Sequence, residues 1–203
     1  HDRLALVRDM FLLAKSGLIP TDVYLETLMF TKNELSYVIW SEVAKQLNQL
    51  CRMTFNTKAQ IKVEKFKTEL FSQLLNRPEM GLKRKANEST NNSLLRGLAF
   101  VEAGLGGNKQ AVAAAQKYFW AGKRIQSVDV NLRSAIFATV ARYGSTSQIG
   151  TLIKLYKQSQ LAIEQQQILH SLIAGATDKT QKVILDLIYS EHVRNQDKPF
   201  AIA

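Results

Sequence analysis

Apolar residues recur every three or four positions along nearly the whole chain, the spacing of helices that bury one face. Leu6, Met10, Leu13 and Ala14 form the first stripe, and Gly17 ends it. Pro20 stands at the head of a second helix over Val23–Met29, because a helix's first turn has no use for the N–H that proline lacks. Tyr37–Met53 reads as a longer helix with Trp40, Val43, Ala44, Leu47, Leu50 and Cys51 on one side. Thr57 and Gln60 have capping-box spacing. They open a helix through Phe66, Leu70, Phe71, Leu74 and Leu75 that ends at Asn76-Arg77, ahead of Pro78.

Residues 77–93 are the most polar stretch and read as a loop or a short helical turn. Helical spacing resumes over Ser93–Leu105 and stops at Gly106-Gly107. Asn108 can cap the next helix, through Ala111, Ala114, Ala115, Tyr118 and Phe119 to Gly122. Leu132, Ala135, Ile136, Thr139, Val140 and Tyr143 give the most regular stripe, closed by Gly144. Ser145 and Gln148 form a second capping box before Ile149, Leu152, Ile153 and Tyr156. Ile168, Leu169, Leu172 and Ile173 follow, ended by Gly175. Asp178 and Gln181 are placed to cap a last helix over Val183, Ile184, Leu187 and Ile188.

The pattern predicts an all-α chain of about ten helices with no strand. Helices of this length joined by short turns stack as antiparallel pairs, the α-solenoid arrangement. The pairs share spacing but little sequence, closer to HEAT or armadillo units than to a consensus repeat. One helical domain over 1–203 is expected, with an N-terminal region over residues 1–76, a basic connector 77–93, and central and C-terminal helix pairs over 93–203.

Composition narrows this further. Ten glycines and three prolines in 203 residues leave little for a fold of tight turns. The chain opens at His1 without methionine and closes on Lys198-Pro-Phe-Ala-Ile-Ala203, which reads as the start of another element, so we expect a fragment of a longer protein that lacks its last helices. No run approaches the roughly 18 apolar residues of a membrane-spanning helix. Cys51 is the only cysteine, which excludes an intrachain disulfide and a cysteine-built metal site and points to a cytoplasmic protein. Asn87-Glu-Ser89 and Asn91-Asn-Ser93 are sequons that matter only in a secreted protein.

The formal charge is +10. Eight basic residues (Lys58, Lys62, Lys65, Lys67, Arg77, Lys83, Arg84 and Lys85) stand against Glu64, Glu69 and Glu79, so this stretch carries half of the excess. Such a patch is able to displace counterions from nucleic-acid phosphate. Yet Lys65–Glu69 has the i,i+4 spacing of a solvated face, and aromatics for base stacking are absent from the polar positions. Nucleic acid is therefore not the expected partner.

Catalytic motifs are absent from the chain. There is no H-E-x-x-H, and His1, His170 and His192 have no spacing for two ligands on one turn. His170 and Cys51 read as structural residues at the edge of an apolar stripe and in the core. Gly104-Leu-Gly-Gly107 joins two helices and reads as a helix stop rather than a phosphate loop. Tyr118, Phe119 and Trp120 are consecutive, so at least one lies at an edge or an interface.

Several segments, in order, resemble one family. Asp2-Arg-Leu-Ala-Leu-Val-Arg-Asp9 through Leu18 is similar to the helix that opens the C-terminal helical domain of gluzincin-superfamily zinc aminopeptidases. These include the puromycin-sensitive and endoplasmic-reticulum types. Glu34-Leu-Ser-Tyr37-Val-Ile-Trp40 resembles that domain's E-x-x-Y-x-x-W helix start. Leu94-Leu95-Arg96 and the run from Gly107-Asn108 to Phe119 resemble its central helices. Asn131-Leu-Arg133-Ser-Ala-Ile-Phe137 resembles its D-L-R-x-x-V-F segment, and Val193-Arg194-Asn-Gln196-Asp197 its V-R-x-Q-D.

The resemblance implies a curved bowl of helix pairs that covers a zinc site, governs peptide access and length preference, and hydrolyses nothing alone. The zinc ligands and the amine-gripping G-x-M-E-N motif belong to an upstream catalytic domain, so this chain holds no cofactor, and its partners are the other domains of its parent and peptide substrates. Glu34, Tyr37, Trp40, Arg133, Phe137, Arg194, Gln196 and Asp197 are the family-motif positions, read as structural with chamber contact as the alternative. Arg133 is expected to brace a neighbouring helix. A HEAT-like interaction scaffold or an inactive paralogue is the alternative function, and an RNA-binding helical repeat the lesser one.

Overall fold

The computed structural model describes residues 2–83, 85–121 and 129–202. Among them are eleven α-helices, a 3₁₀ helix and no strand. The chain divides into two compact units, His1–Glu102 and Ala103–Ala203.

In the first unit, α1 (Asp2–Lys15) packs on α2 (Thr21–Leu28) and α3 (Tyr37–Met53), and α3 packs on α4 (Lys58–Leu75). A 3₁₀ helix, Met29–Asn33, continues α2, and α5 begins at Thr90. That start is three residues before the one expected from the apolar stripe, because Ser89, Thr90 and the two asparagines supply a polar first turn in which Ser89 Oγ accepts from the N–H of Asn92. α3 occupies the span its spacing predicts and buries Ile39, Trp40, Val43, Ala44, Leu47 and Leu50.

α1 buries a different face from the predicted one. Val7 and Phe11 point inward, with the Phe11 ring 5.3 Å from that of Tyr24. Leu6 stays 54% exposed and Leu13 37%. The helix is apolar around most of its circumference, so spacing alone leaves its inward face undecided, and the aromatic pair decides it. A polar chain ties the three helices together: Arg8 to Glu42 at 3.3 Å, Gln46 Nε2 to Glu42 at 3.0 Å, and the buried Tyr24 hydroxyl donating to Gln46 Oε1 at 2.9 Å. Burial, with help from the Glu42 charge, pushes the Tyr24 phenol above its usual range.

The cap of α4 also departs from expectation. Thr57 is the N-cap residue, but its hydroxyl donates to the Thr54 carbonyl. Gln60 Oε1 accepts from the N–H of Asn56, one residue earlier than a capping box requires. Asn56 has φ 60°, and this left-handed turn redirects its N–H to the side chain.

In the second unit, α6 (Lys109–Ala121), α7 (Val130–Tyr143), α8 (Thr146–Gln158) and α9 (Ala162–Ala174) pack in sequence, and α7 also packs on α9. α10 (Gln181–Tyr189) and α11 (Lys198–Ile202) follow, with α11 touching α9 and α10. Neighbours on several sides leave α7 the most buried helix here: all of Leu132 and Ala135–Ala141 are inside. Asn108 and Asp129 cap α6 and α7, accepting from the N–H groups of Ala111 and Asn131 at 3.0 Å each. The Ser145–Gln148 box forms both of its bonds.

The expected Asp178–Gln181 box does not form. α10 starts at Gln181 itself, its N-cap residue Thr180 makes no side-chain cap bond, and Thr180 Oγ1 accepts instead from the upstream N–H of Thr177. Gly122, expected as the end of α6, and the side chains of Phe200 and Ile202 lie outside the described residues.

Close approach of α9 to α7 depends on Gly175. A Cβ there would stand 2.3 Å from the Ala138 carbonyl oxygen and 2.6 Å from the Ala141 methyl. Gly150 in α8 has open space around it. Gly175→Ala is therefore expected to destabilise by about 1–3 kcal/mol through overpacking. Gly150→Ala is expected to stabilise by about 0.5–1 kcal/mol, because glycine is a poor helix residue. Thermal unfolding of the two variants beside the parent checks the opposite signs.

Candidate functional site

The motif Glu34–Tyr37–Trp40 folds into the break between the 3₁₀ helix and α3. The Glu34 carboxylate turns back on its own backbone, and Oε1 accepts from the N–H groups of Leu35 and Ser36 at 2.8 Å each. Its other oxygen pairs with Arg3 at 2.6 Å. Asn91, at the start of α5, clasps the same turn: Oδ1 accepts from the N–H of Tyr37 at 2.9 Å, and Nδ2 donates to the Leu35 carbonyl at 2.7 Å. In the sequence Asn91 stands out only as a sequon, and its amide is engaged in the fold.

Arg77 meets two carbonyls at the break, that of Glu34 and that of Thr31, which also accepts from the N–H of Glu34 at 2.8 Å. Its Nη1 donates to Glu34 O at 2.6 Å and its Nη2 to Thr31 O at 3.2 Å. Trp40 Nε1 also donates to Glu34 O, at 2.9 Å. The guanidinium lies 5.7 Å from the Trp40 ring centroid, and that ring stands edge-on to Phe71 of α4 at 5.4 Å. Burial pulls the Arg77 pKa below the usual arginine range, opposed by the charges of Glu79 and Glu34.

Two more charged groups from the central stretch are turned inward. Lys67 is only 13% exposed and reaches Glu102 at 3.0 Å and Asn48 Oδ1 at 2.7 Å. Asn48 Nδ2 closes the triangle on Glu102 at 3.0 Å. Arg96 is fully buried and holds Glu88 in a fork, Nε to Oε1 at 3.0 Å and Nη2 to Oε2 at 2.7 Å. Sequence spacing places Lys67 and Arg77 on a basic surface. The structure corrects this: each is taken by an acceptor on another helix. Of the rest, Lys58, Lys62, Lys65, Lys83 and Lys85 are exposed, Lys65 pairs with Glu69, Lys85 donates to the Pro78 carbonyl, and Arg84 lies outside the described residues.

In the second unit, Arg133 pairs with Glu164 at 3.5 Å and so braces α7 against α9, as expected. Phe137 is buried and meets Phe119 edge-on at 6.4 Å. Of the three consecutive aromatics, Phe119 is inside and Trp120 is the exposed one. Arg194 holds Asp197 at 2.8 Å, and Gln166 Nε2 donates to Asp197 Oδ1 at 3.3 Å, which links the V-R-x-Q-D segment to α9. Gln196 is exposed. Nearby, burial and the Asp197 charge push the Tyr156 phenol up.

Chemistry-bearing groups do not converge. Among the described residues no three His, Cys, Asp or Glu side chains gather as a metal ion requires, and His170 and His192 are both exposed. The residues present do not fit a zinc site. Cys51 is half-buried and lines an open cavity of about 420 Å³ with Arg52, Phe55, Gln60 and Glu64. Burial pushes its thiol up, against the opposing charge of Lys67. No helix among the described residues is long and apolar enough to cross a membrane.

The family model for the ERAP1-like C-terminal domain matches residues 1–203. The chain belongs to this family. It is 30% identical to Aminopeptidase 2 of Candida albicans over 97% of its own length and 22% of that protein's. Against the alanine/arginine aminopeptidase of Saccharomyces cerevisiae it is 26% identical, covering 97% and 23%. Against Aminopeptidase 2, mitochondrial, of the same yeast the values are 24%, 97% and 21%. The chain thus spans about a fifth of the length of these relatives. In this ERAP1-like C-terminal domain, Glu34, Tyr37, Trp40, Arg133, Phe137 and Asp197 among the family-motif positions bond or pack across elements, and Arg194 holds Asp197 within its own segment.

The buried fork of Arg96 and Glu88 gives the sharpest test of that role. Glu88→Ala leaves a buried guanidinium without its carboxylate and is expected to cost about 3–5 kcal/mol. Replacing both partners, Glu88→Leu with Arg96→Met, is expected to recover most of the loss. Denaturant unfolding of the single and double variants measures both.

Proposed function

We propose that this chain is the C-terminal helical region of a zinc aminopeptidase and is non-catalytic by itself. In this reading its helices form a bowl over the active site of the longer protein and govern which peptides reach it, by length and by sequence. The zinc and the residues that act on the substrate belong to the upstream region. The observation that carries the reading is the match over 1–203 to a C-terminal domain of aminopeptidases, by a chain about a fifth the length of its relatives. The pairing of its charged motif residues Glu34, Arg133, Arg194 and Asp197 with single opposite charges, rather than around an open site, supports it. A cytoplasmic setting, supported by the single cysteine, goes with it.

An RNA-binding role is less supported, because Lys67 and Arg77 of the basic stretch are engaged by acceptors within the fold. The test is to express the full-length protein and assay it on a chromogenic aminoacyl arylamide and on a ladder of peptides. Chelator-sensitive release of N-terminal residues, restored by zinc, is expected. Point changes at the exposed face of residues 1–203 should alter preference across the peptide ladder while leaving the arylamide rate unchanged. A full-length protein with no aminopeptidase activity that retains a stable protein partner would overturn the reading in favour of a scaffold.

A further inference from the structure

Helix α1 carries two apolar faces, and the structure buries one. Val7 and Phe11 are used against α2 and α3. Leu6, Met10 and Leu13 stand at i, i+4 and i+7, a second seam along one side of the same helix. Leu6 is 54% exposed, Leu13 37%, and Met10 half-buried. Asp2 and Asp9 border one edge of this seam and Arg3, paired with Glu34, borders the other; all three are exposed. The seam lies about 110° around the helix from the Val7–Phe11 face. A helix at a free surface shows polar residues on the sides it does not bury, whereas this one is apolar on a second side. The seam is therefore built to be covered.

We propose that the Leu6–Met10–Leu13 seam is the docking surface for an apolar-faced helix from the segment of the longer protein that precedes this domain. The inference rests on the reading of the chain as the C-terminal region of a longer aminopeptidase, whose relatives are four to five times its length (21–23% covered). Area decides between that occupant and a second copy of the chain. Three side chains over two turns fall well short of the roughly 800 Å² per partner that a stable interface between separate proteins takes. A segment tethered to the same chain needs far less, because the linkage itself supplies an effective concentration of order millimolar. Charge defines the occupant further. With Asp2 and Asp9 beside the seam, the docking helix should carry Lys or Arg at the positions bordering its apolar stripe.

Leu12 provides an internal control. It is 59% exposed, as open as Leu6, but lies off the seam on the far side of α1. In the full-length protein, Leu6→Lys with Leu13→Lys is expected to raise amide hydrogen exchange at least tenfold, both in α1 and in one segment upstream of it. Leu12→Lys is expected to change neither. Both variants alter exposed positions, so the domain itself should fold, and unchanged exchange in α3 and α7 confirms that it has. Loss of protection in α1 alone, or no change in either place, overturns the proposal. A seam variant that turns a dimer into a monomer by light scattering, with upstream exchange unmoved, assigns the seam to a second copy and overturns it as well. Exchange is read without substrate, so a protein with the docked segment but no peptidase activity would sink the functional reading and leave the docking intact.

Discussion

Where the 3₁₀ helix Met29–Asn33 gives way to α3, the Thr31 carbonyl keeps one backbone partner, the N–H of Glu34 at 2.8 Å, and the Glu34 carbonyl takes side-chain donors. Arg77 donates to both carbonyls from 43 and 46 residues away, and Trp40 adds a third bond. Each carbonyl has a second lone pair to satisfy, and a charge-assisted bond to it contributes on the order of 1.5–3 kcal/mol, so the guanidinium strengthens the break where Glu34 N–H and Trp40 alone leave capacity unused. Once there, Arg77 fixes the end of α4 against the start of α3. The flat guanidinium also covers Trp40, whose ring packs on Phe71. The core of the first unit is assembled around that fixed corner.

The same logic recurs wherever two helices must hold register. Lys67 with Glu102 and Asn48 links α4, α5 and α3, Arg96 with Glu88 ties the loop after α4 to α5, and Arg133 with Glu164 joins α7 to α9. A helix face packed only by leucine and alanine tolerates sliding. An ion pair with satisfied hydrogen bonds does not, because displacement leaves a buried charge unpaired. Of these pairs, the one of Arg133 with Glu164 includes a motif position that resembles the aminopeptidase family. They are joints between helices, and a domain proposed to shape access to another domain's active site needs such joints more than it needs reactive groups.

Most helix boundaries were legible in the chain because local chemistry sets them. Tyr37–Met53 follows from its stripe, and the Ser145–Gln148 box and the Asn108 cap form as spaced. Failures have a common cause in nonlocal partners. α1 reads as one stripe, but only the Phe11–Tyr24 contact says which side turns in. Lys67 and Arg77 lie among surface lysines in sequence, and nothing within four residues of either reveals an acceptor on α3 or in the 3₁₀ turn. A long side chain's destination is set by the fold. One local signal was available: Glu88, a lone acid after Lys83-Arg84-Lys85, lies eight residues before Arg96 at the head of a helix, within reach of its second turn.

We propose that the motif residues hold helices together, and Arg77 serves them by donating to the Glu34 carbonyl and lying over Trp40. Arg77→Ala in the full-length protein tests it most directly, with denaturant unfolding and steady-state hydrolysis of a small arylamide measured on the same sample. Loss of two charge-assisted bonds should lower unfolding stability by about 2–4 kcal/mol. The account predicts that kcat/KM stays within about twofold of the parent while the protein remains folded, a change of less than about 0.5 kcal/mol in transition-state stabilisation. Unchanged stability with a kcat/KM reduced a hundredfold would contradict it.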